Sequence, residues 1–239
     1  MPRNYRIGLV ALALAFSASA QTESALEQGL TLLEAGRTSL VEQPLIKARD
    51  YFVQLAQQQP SNSTLVYEQA RANQYLCESF SARGDKKNAE RALDAAISNV
   101  QQALKLDEKS ADAHSLLADL YGRKIGFGIG MFAGPKYGPK VKAENQRAME
   151  LDPKNPRVYA SLGRQYLEAP KMFGGDLDQA IESFRKSLAL DAKSDDTYVW
   201  LATALRKKGD ADGADKALQE ALHLSPQSAF ALETAKKNK

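Results

Sequence analysis

The sequence predicts an all-α fold in which antiparallel helix pairs stack into a solenoid. Four stretches of similar pattern each end an amphipathic helix, and they stop at Asp107, Asp152, Asp191 and Ser225. The residues after the last two stops, Ala192 and Pro226, are 34 residues apart. A hydrophobic content of 44% with 26% of mixed charge excludes a disordered chain. Self-similarity at a fixed period is typical of repeat proteins, whose units bury their apolar faces against their neighbours.

The first twenty residues have the pattern of a secretory signal. Two arginines precede an apolar run over residues 7–16, and Ala-Ser-Ala at 18–20 is a small-residue cleavage pattern. We therefore expect a signal peptide over residues 1–20, cleavage after Ala20, and a periplasmic or secreted protein. An uncleaved N-terminal anchor is the alternative. No later segment is apolar enough for a bilayer crossing, so we expect no stable membrane insertion after signal cleavage.

The last repeat shows why the helices pair. Small residues let two helices approach closely, leucines fill the seam, a glycine ends the first helix and a proline ends the second. These positions are Tyr198, Leu201, Ala202, Leu205, Gly209, Asp210, Ala214, Leu218, Ala221 and Pro226. In spacing and order they resemble the tetratricopeptide repeat (TPR) family, which has a 34-residue period. The resemblance implies an α-solenoid that presents a concave groove to protein partners.

The other repeats keep this frame with insertions, and they divide the chain. Residues 21–62 are predicted to form an N-terminal helical pair, a degenerate repeat. Residues 63–226 are the TPR array, with insertions at 122–140 and 169–175. Residues 227–239 are predicted to be a C-terminal capping helix with a basic tail. Bacterial exported TPR proteins with glycine-rich insertions have similar segments, but that likeness implies no activity.

The candidate partner-binding residues of the groove follow from the repeat register, because the first helix of each pair lines the concave side. Arginine is prominent among them, and its planar guanidinium suits carboxylate recognition. The alternative is an ordinary solvated helix face with mixed charges. The candidates in the groove are Arg71, Gln74, Asp119, Arg123, Arg157, Arg164 and Arg206.

The two insertions are the second candidate site. The longer one, residues 122–140, contains six glycines and two prolines, from which we expect no regular helix. Corresponding loops of stacked repeats lie side by side, so its apolar residues and those of the shorter insertion are expected to meet on one edge. The candidates there are Phe127, Met131, Phe132 and Phe173, with Met172 beside them.

Three interpretations of this edge remain open. The loops pack on each other and seal a gap between repeats, or they form an apolar contact for a partner or a membrane. In the third, the glycines at 126, 128 and 130 bind phosphate. That pattern is weak, because no strand precedes it and no lysine-serine ending follows it.

No feature of the sequence favours an enzyme. His114 and His223 lie in separate repeats, and no zinc-binding motif or nucleophile motif occurs. Cys77, the one cysteine, is expected to be a buried apolar residue. We expect no catalytic residues, no cofactor and no metal. A net charge of +3, or +1 without the leader, gives no reason to expect a nucleic-acid partner.

These observations predict a non-enzymatic protein-interaction scaffold of the cell envelope. It is expected to bind a protein or peptide through the concave groove and the glycine-rich loop edge. The alternative is a periplasmic accessory protein that captures a small ligand for an envelope transporter. A long open groove favours the first, and a closed pocket roofed by residues 125–132 favours the second.

Overall fold

The chain is a solenoid of helix pairs, as the repeat spacing predicts. A computed structural model describes residues 24–127 and 133–237, and these ranges contain helices and no strands. Helix α1 covers residues 24–39, and a short 3-10 helix at Lys171–Phe173 precedes α8. The other helices are α2 (Glu42–Gln58), α3 (Ser63–Ala82), α4 (Lys86–Leu106), α5 (Ala111–Phe127), α6 (Ala133–Leu151), α7 (Pro156–Glu168), α8 (Leu177–Leu190), α9 (Asp195–Lys208), α10 (Ala211–Leu224) and α11 (Ala229–Lys237).

Consecutive helices pack as antiparallel pairs around two main apolar cores. The pairs from α3 to α10 are α3 with α4, α5 with α6, α7 with α8, and α9 with α10, and α11 packs on α9 and α10. The first core runs from α1 to α6 and contains the fully buried Phe52. The second runs from the end of α7 to α11 and contains the fully buried Phe184. A smaller cluster of Ala111, Ala148 and Val158 lies between them.

Side-chain caps begin most of the paired helices. A helix leaves its first amide groups without partners, and a short polar side chain just before it accepts their hydrogen bonds. Such caps stand before α3, α4, α7, α8 and α10, and they are Asn62, Asp85, Asn155, Asp176 and Asp210. The frame glycine Gly209 ends α9 at a φ of 94°, a conformation that other residues rarely adopt.

Small residues set the distance between paired helices. A Cβ atom built on Gly163 would lie 2.5 Å from Cε1 of Phe184, closer than any side chain allows. Gly163 of α7 thus provides the space that the Phe184 ring of α8 fills. In the first pair Gly29 serves the same purpose for Phe52, where the corresponding distance is 2.6 Å.

The glycine-rich insertion departs from its prediction, because most of it is helical. Helix α5 continues to Phe127 and α6 begins at Ala133, so the expectation of no regular helix is wrong for residues 122–127 and 133–140. Pro139 stands inside α6, where it removes one helical hydrogen bond. The added turns are held by packing, since the rings of Tyr121 and Tyr137 stack at 5.7 Å and Lys140 lies over Tyr121. Tertiary contacts here override propensity.

Longer helices also explain the widest repeat spacing, the 48 residues between Pro60 and Glu108. Helices α3 and α4 have 20 and 21 residues, whereas α9 and α10 have 14 each. The extra residues in this repeat therefore add about two turns to each helix. At the other end, α11 buries Ala231, and Leu232 stays 43% exposed.

A bilayer crossing requires a helix that is both long and apolar. Within residues 24–127 and 133–237, none of the helices combines that length with that apolar character.

Candidate functional site

A central groove runs along the concave side of the solenoid. We use this name for the surface that α3, α5, α7 and α9 line together, with α1 and α11 at its rims; it holds a cavity of about 650 Å³. Its lining includes eight acidic and six basic side chains, so many charged groups of both signs face it. Sites for small molecules are mostly apolar, which makes this groove more typical of a surface that contacts a polypeptide.

Most of the predicted groove residues lie in the lining of the cavity. Six of the seven line the cavity, namely Arg71, Gln74, Asp119, Arg123, Arg157 and Arg164. Arg206 does not belong to the lining and pairs instead with Asp215 of α10. Arg206 lies nearly two helical turns beyond Trp200, because the groove reaches only the first two turns of α9.

The groove arginines are already paired with acids of the chain. Arg123 of α5 contacts Glu78 of α3, and Arg164 of α7 contacts Asp119 of α5, so each pair links neighbouring repeats. Burial opposes the charge of Arg123 and Arg164, but the adjacent carboxylates outweigh it and raise the pKa of both. These guanidinium groups stay charged, and their carboxylate partners are intramolecular.

Arg157 is the most accessible arginine of the set. Its side chain is 49% exposed, and Nη1 donates a 2.6 Å hydrogen bond to the hydroxyl of Tyr67. The same nitrogen lies 3.3 Å from Oδ2 of Asp112. Because water still reaches this side chain, Arg157 can exchange an internal contact for one with a bound segment.

Aromatic side chains form the part of the groove that the sequence interpretation missed. Tyr67, Tyr75, Trp200 and Phe230 all line it, and the Trp200 and Phe230 rings lie 5.2 Å apart. Burial raises the pKa of Tyr67 and of Tyr75 to about 12, so both phenols stay protonated and can donate hydrogen bonds. A helical signal was available, since positions 67 and 75 each lie four residues from the predicted Arg71.

The first helix pair reaches across the groove to the fifth. Arg37 of α1 donates from Nη1 to Oδ1 of Asp196 at 2.9 Å, and from Nη2 to Oδ2 of Asp195 at 3.2 Å. Glu34, one turn earlier in α1, accepts from Arg37 Nη2 at 2.6 Å. We call Arg37 with Asp195 and Asp196 the clasp. No sequence pattern pointed to the clasp, because Arg37 is 158 residues from Asp195 and 159 residues from Asp196.

The clasp predicts a pH dependence of stability. Burial raises the pKa of Asp196 to about 6 from 3.8, with Asp195 and Glu78 adding to the rise and Arg37 opposing it. The folded chain therefore binds this proton more readily than the unfolded chain does. The stability that Asp196 contributes grows as the pH falls from about 6 towards 4, and it is lost as the pH rises through 6.

We expect Asp196→Asn to lack this contribution. In urea titrations, the free energy of unfolding of the wild-type protein should rise relative to that of the variant between about pH 7 and pH 4. The comparison with the variant cancels the titration of groups that do not interact with Asp196. If the difference in the free energy of unfolding between the wild type and the variant stayed constant over this pH range, the prediction would be contradicted.

The predicted loop edge is only partly described. Phe127 packs against the first core, whereas Phe173 and Met172 are 65% and 82% exposed. Met131 and Phe132 lie outside the described residues, as do two glycines of the phosphate-binding interpretation, at 128 and 130; the third, Gly126, is in α5. The structure thus shows an exposed apolar pair in the second insertion, and it does not bring Phe127 to that pair.

His114 and Cys77 occupy structural positions and lie outside the groove lining. His114 hydrogen-bonds through Nδ1 to Glu144 at 2.6 Å and through Nε2 to the Glu108 carbonyl at 3.1 Å. Cys77 is buried with a free thiol, and burial raises its pKa. Within the described ranges, no three histidine, cysteine or acidic side chains are grouped as metal ligands.

Comparison with solved structures identifies the fold as that of TPR proteins. TTC0263, a thermophilic TPR protein of Thermus thermophilus, superimposes with a TM-score of 0.67 at 17% identity, over 90% of this chain and 97% of that one. YrrB, described as a TPR protein with an unusual peptide-binding site, gives 0.43 at 17% identity, over 80% and 84%. MamA of Desulfovibrio magneticus RS-1 gives 0.44 at 14%, over 87% and 97%.

Sequence comparison identifies the family. No curated protein matches the chain in sequence. A family model does match, over residues 25–238, which covers all the helix pairs and the groove that they form. The chain therefore belongs to the family described as "Regulator of microtubule dynamics protein 1-3".

Proposed function

We propose that the protein is a non-enzymatic scaffold that binds an extended segment of a partner protein in its central groove. The observation that carries this proposal is the groove itself, in which α3, α5, α7 and α9 direct aromatic, arginine and carboxylate side chains into one cavity of about 650 Å³. Tyrosine, tryptophan and arginine are the residues that most often dominate binding at protein interfaces.

The balance of charge narrows the kind of segment that fits. The lining carries eight acidic and six basic groups, and the arginines have acidic partners within the chain. This small excess of acidic groups would repel a strongly acidic segment, and such a segment would find no unpaired guanidinium in the groove. A neutral or weakly basic segment, held by hydrogen bonds and by stacking on Trp200, fits the surface better.

The location that we propose is the cell envelope. Its support is the leader, with two arginines, a short apolar run and a small-residue cleavage pattern that ends at Ala20. The description of the family refers to the regulation of microtubule dynamics. Such regulation acts on other proteins, so the description agrees with a protein-binding function. For an exported chain we propose a different partner, one that resides in the envelope.

The small-ligand alternative has less support from the geometry. A pocket roofed by residues 125–132 would favour it, yet Ile125 and Phe127 pack against the first core. The clasp crosses the groove between α1 and α9, and the lining carries eight acidic and six basic side chains. The exposed Met172 and Phe173 form a second contact surface in our proposal, beside the groove.

Site-specific photo-crosslinking in cells tests this function. A photoreactive amino acid at Gln74, in the groove, should crosslink a protein that is recovered in the periplasmic fraction. The same amino acid at Arg91, exposed on α4 and outside the groove lining, is the matched control. Equal crosslinking at both positions, or none at Gln74, would exclude the groove as the binding site.

Once the partner is purified, we expect Arg157→Ala to weaken its binding by at least about tenfold, measured by titration calorimetry. Arg157 is accessible, so the variant should remain folded. Arg91→Ala removes the same type of side chain from outside the groove and should bind as the wild type does.

Replacement of Met172 and Phe173 by serine tests the second contact surface. If this variant bound the partner with unchanged affinity, the binding site would be limited to the groove.

A further inference from the structure

The two apolar cores of the solenoid meet at a polar interface. Between α5 and α7, the buried Ser161 donates a hydrogen bond to Oδ1 of Asp119 at 2.8 Å, and Arg164 Nε donates to the same oxygen at 3.0 Å. Asn155 at the start of α7 donates to Asp112 of α5 at 2.7 Å. Hydrogen bonds and an ion pair therefore join α5 and α7 across this boundary.

Helices α6 and α7 also make a polar contact at this boundary. The side chain of Asn145 in α6 is fully buried, and its Nδ2 donates to Gln165 of α7 at 2.9 Å. Its Oδ1 accepts no hydrogen bond within the described part of the chain. Among the described residues, the apolar cluster at this boundary has three buried members, Ala111, Ala148 and Val158, and three partly buried ones, Met149, Leu151 and Leu162. Polar interfaces of this kind permit relative motion more readily than a continuous apolar core does.

The clasp joins the same two halves on the opposite side of the groove. Helix α1 belongs to the first core through Leu33, and α9 belongs to the second through Val199. Arg37 connects them with its side chain 12% exposed, and that of Asp195 is 8% exposed. Burial opposes the charge of Arg37, but its bonds to Glu34 and the two aspartates outweigh this and raise its pKa.

We propose that the α5–α7 interface is a hinge and that the clasp closes the groove around the bound segment. With the clasp made, the segment is surrounded by α1 and the four lining helices. With the clasp broken, the two cores rotate apart about the hinge and the groove opens along its length. Closure would mainly slow dissociation, because a segment inside a closed groove cannot leave sideways. The inference rests on the proposed function for its biological purpose, but the motion itself requires no partner.

Distance measurement by pulsed electron paramagnetic resonance tests the motion in the free protein. Spin labels are attached at Ala35→Cys on α1 and Ala192→Cys before α9, both exposed positions, while the native Cys77 is buried. The clasp is broken from one side by Arg37→Gln and, independently, from the other by Asp195→Asn with Asp196→Asn. Arg49→Gln is the matched control, since its partner Asp50 is the next residue and spans no gap.

The doubly labelled protein should give one narrow distance, and both clasp variants should give a longer and broader distribution. Arg49→Gln should leave the distance unchanged. A folded clasp variant that keeps the narrow distance would overturn the proposal. So would loss of the fold in both variants, because the contact would then be needed for folding and not for closure. The distance measurement uses no partner, so a negative result would not exclude the groove as the binding site. The crosslinking at Gln74 tests the binding site separately.

Discussion

Replacing Phe184 by alanine is expected to lower the free energy of unfolding by about 3–5 kcal/mol. Phe184 is fully buried, and its ring fills the space that Gly163 leaves on the facing helix. The substitution removes the ring from the second core and leaves a cavity that rigid helix backbones can close only in part. Equilibrium unfolding in urea, followed by circular dichroism at the helix band, measures the loss.

Phe173→Ala provides the control, because it deletes the same side chain from a position that is 65% exposed. We expect its effect to stay within about 0.5 kcal/mol. Similar losses for the two variants would mean that Phe184 is not the centre of the second core. The same experiment separates the structural phenylalanine of this repeat from the one proposed to contact a partner.

The frame of the last repeat could be predicted because local rules determine it. Leu201, Ala202 and Gly209 follow from one register, in which small residues face large ones across a helix pair and a glycine ends the first helix. Each of these requirements involves residues within one repeat. Repetition of the pattern then places the first helices side by side, which is why six groove residues were located from sequence.

The insertions could not be predicted in the same way. Glycine and proline argued locally against a helix in residues 122–140, but α5 and α6 both extend into this segment. The stacked rings of Tyr121 and Tyr137 supply stabilisation that no local rule contains. Nothing in the pattern distinguished a loop that contacts a partner from two helices that are simply longer.

The clasp could not be predicted from the sequence for a different reason. Arg37 and Asp195 meet because the curvature of the array brings its first and fifth helix pairs together across the groove. Curvature accumulates from small rotations between neighbouring repeats, and these depend on details of packing. In the sequence alone, Arg37 is one charged residue at the end of a helix. Trp200, which lines the groove one helical turn after Asp196, was not predicted either.

Removing Asp119 alone is expected to destabilise the protein by about 3–5 kcal/mol, because it leaves the guanidinium of Arg164 without its carboxylate. The two side chains are 12% and 22% exposed, so water can compensate only in part. Ser161 loses a hydrogen-bond acceptor in the same change. Urea unfolding of Asp119→Ala measures this loss. Asp50→Ala, which leaves the exposed Arg49, should change the stability by less than about 1 kcal/mol.

The double variant Asp119→Leu, Arg164→Met then distinguishes stability from hinge function. Replacing both charges by apolar side chains of similar size should recover most of the stability that Asp119→Ala loses, because no buried charge is left uncompensated. It should also convert the α5–α7 contact from polar to apolar. If that polar contact is the hinge, the double variant with the clasp broken by Arg37→Gln should keep the short α1–α9 distance that Arg37→Gln alone loses. A stable double variant that still opened would place the motion at another repeat boundary.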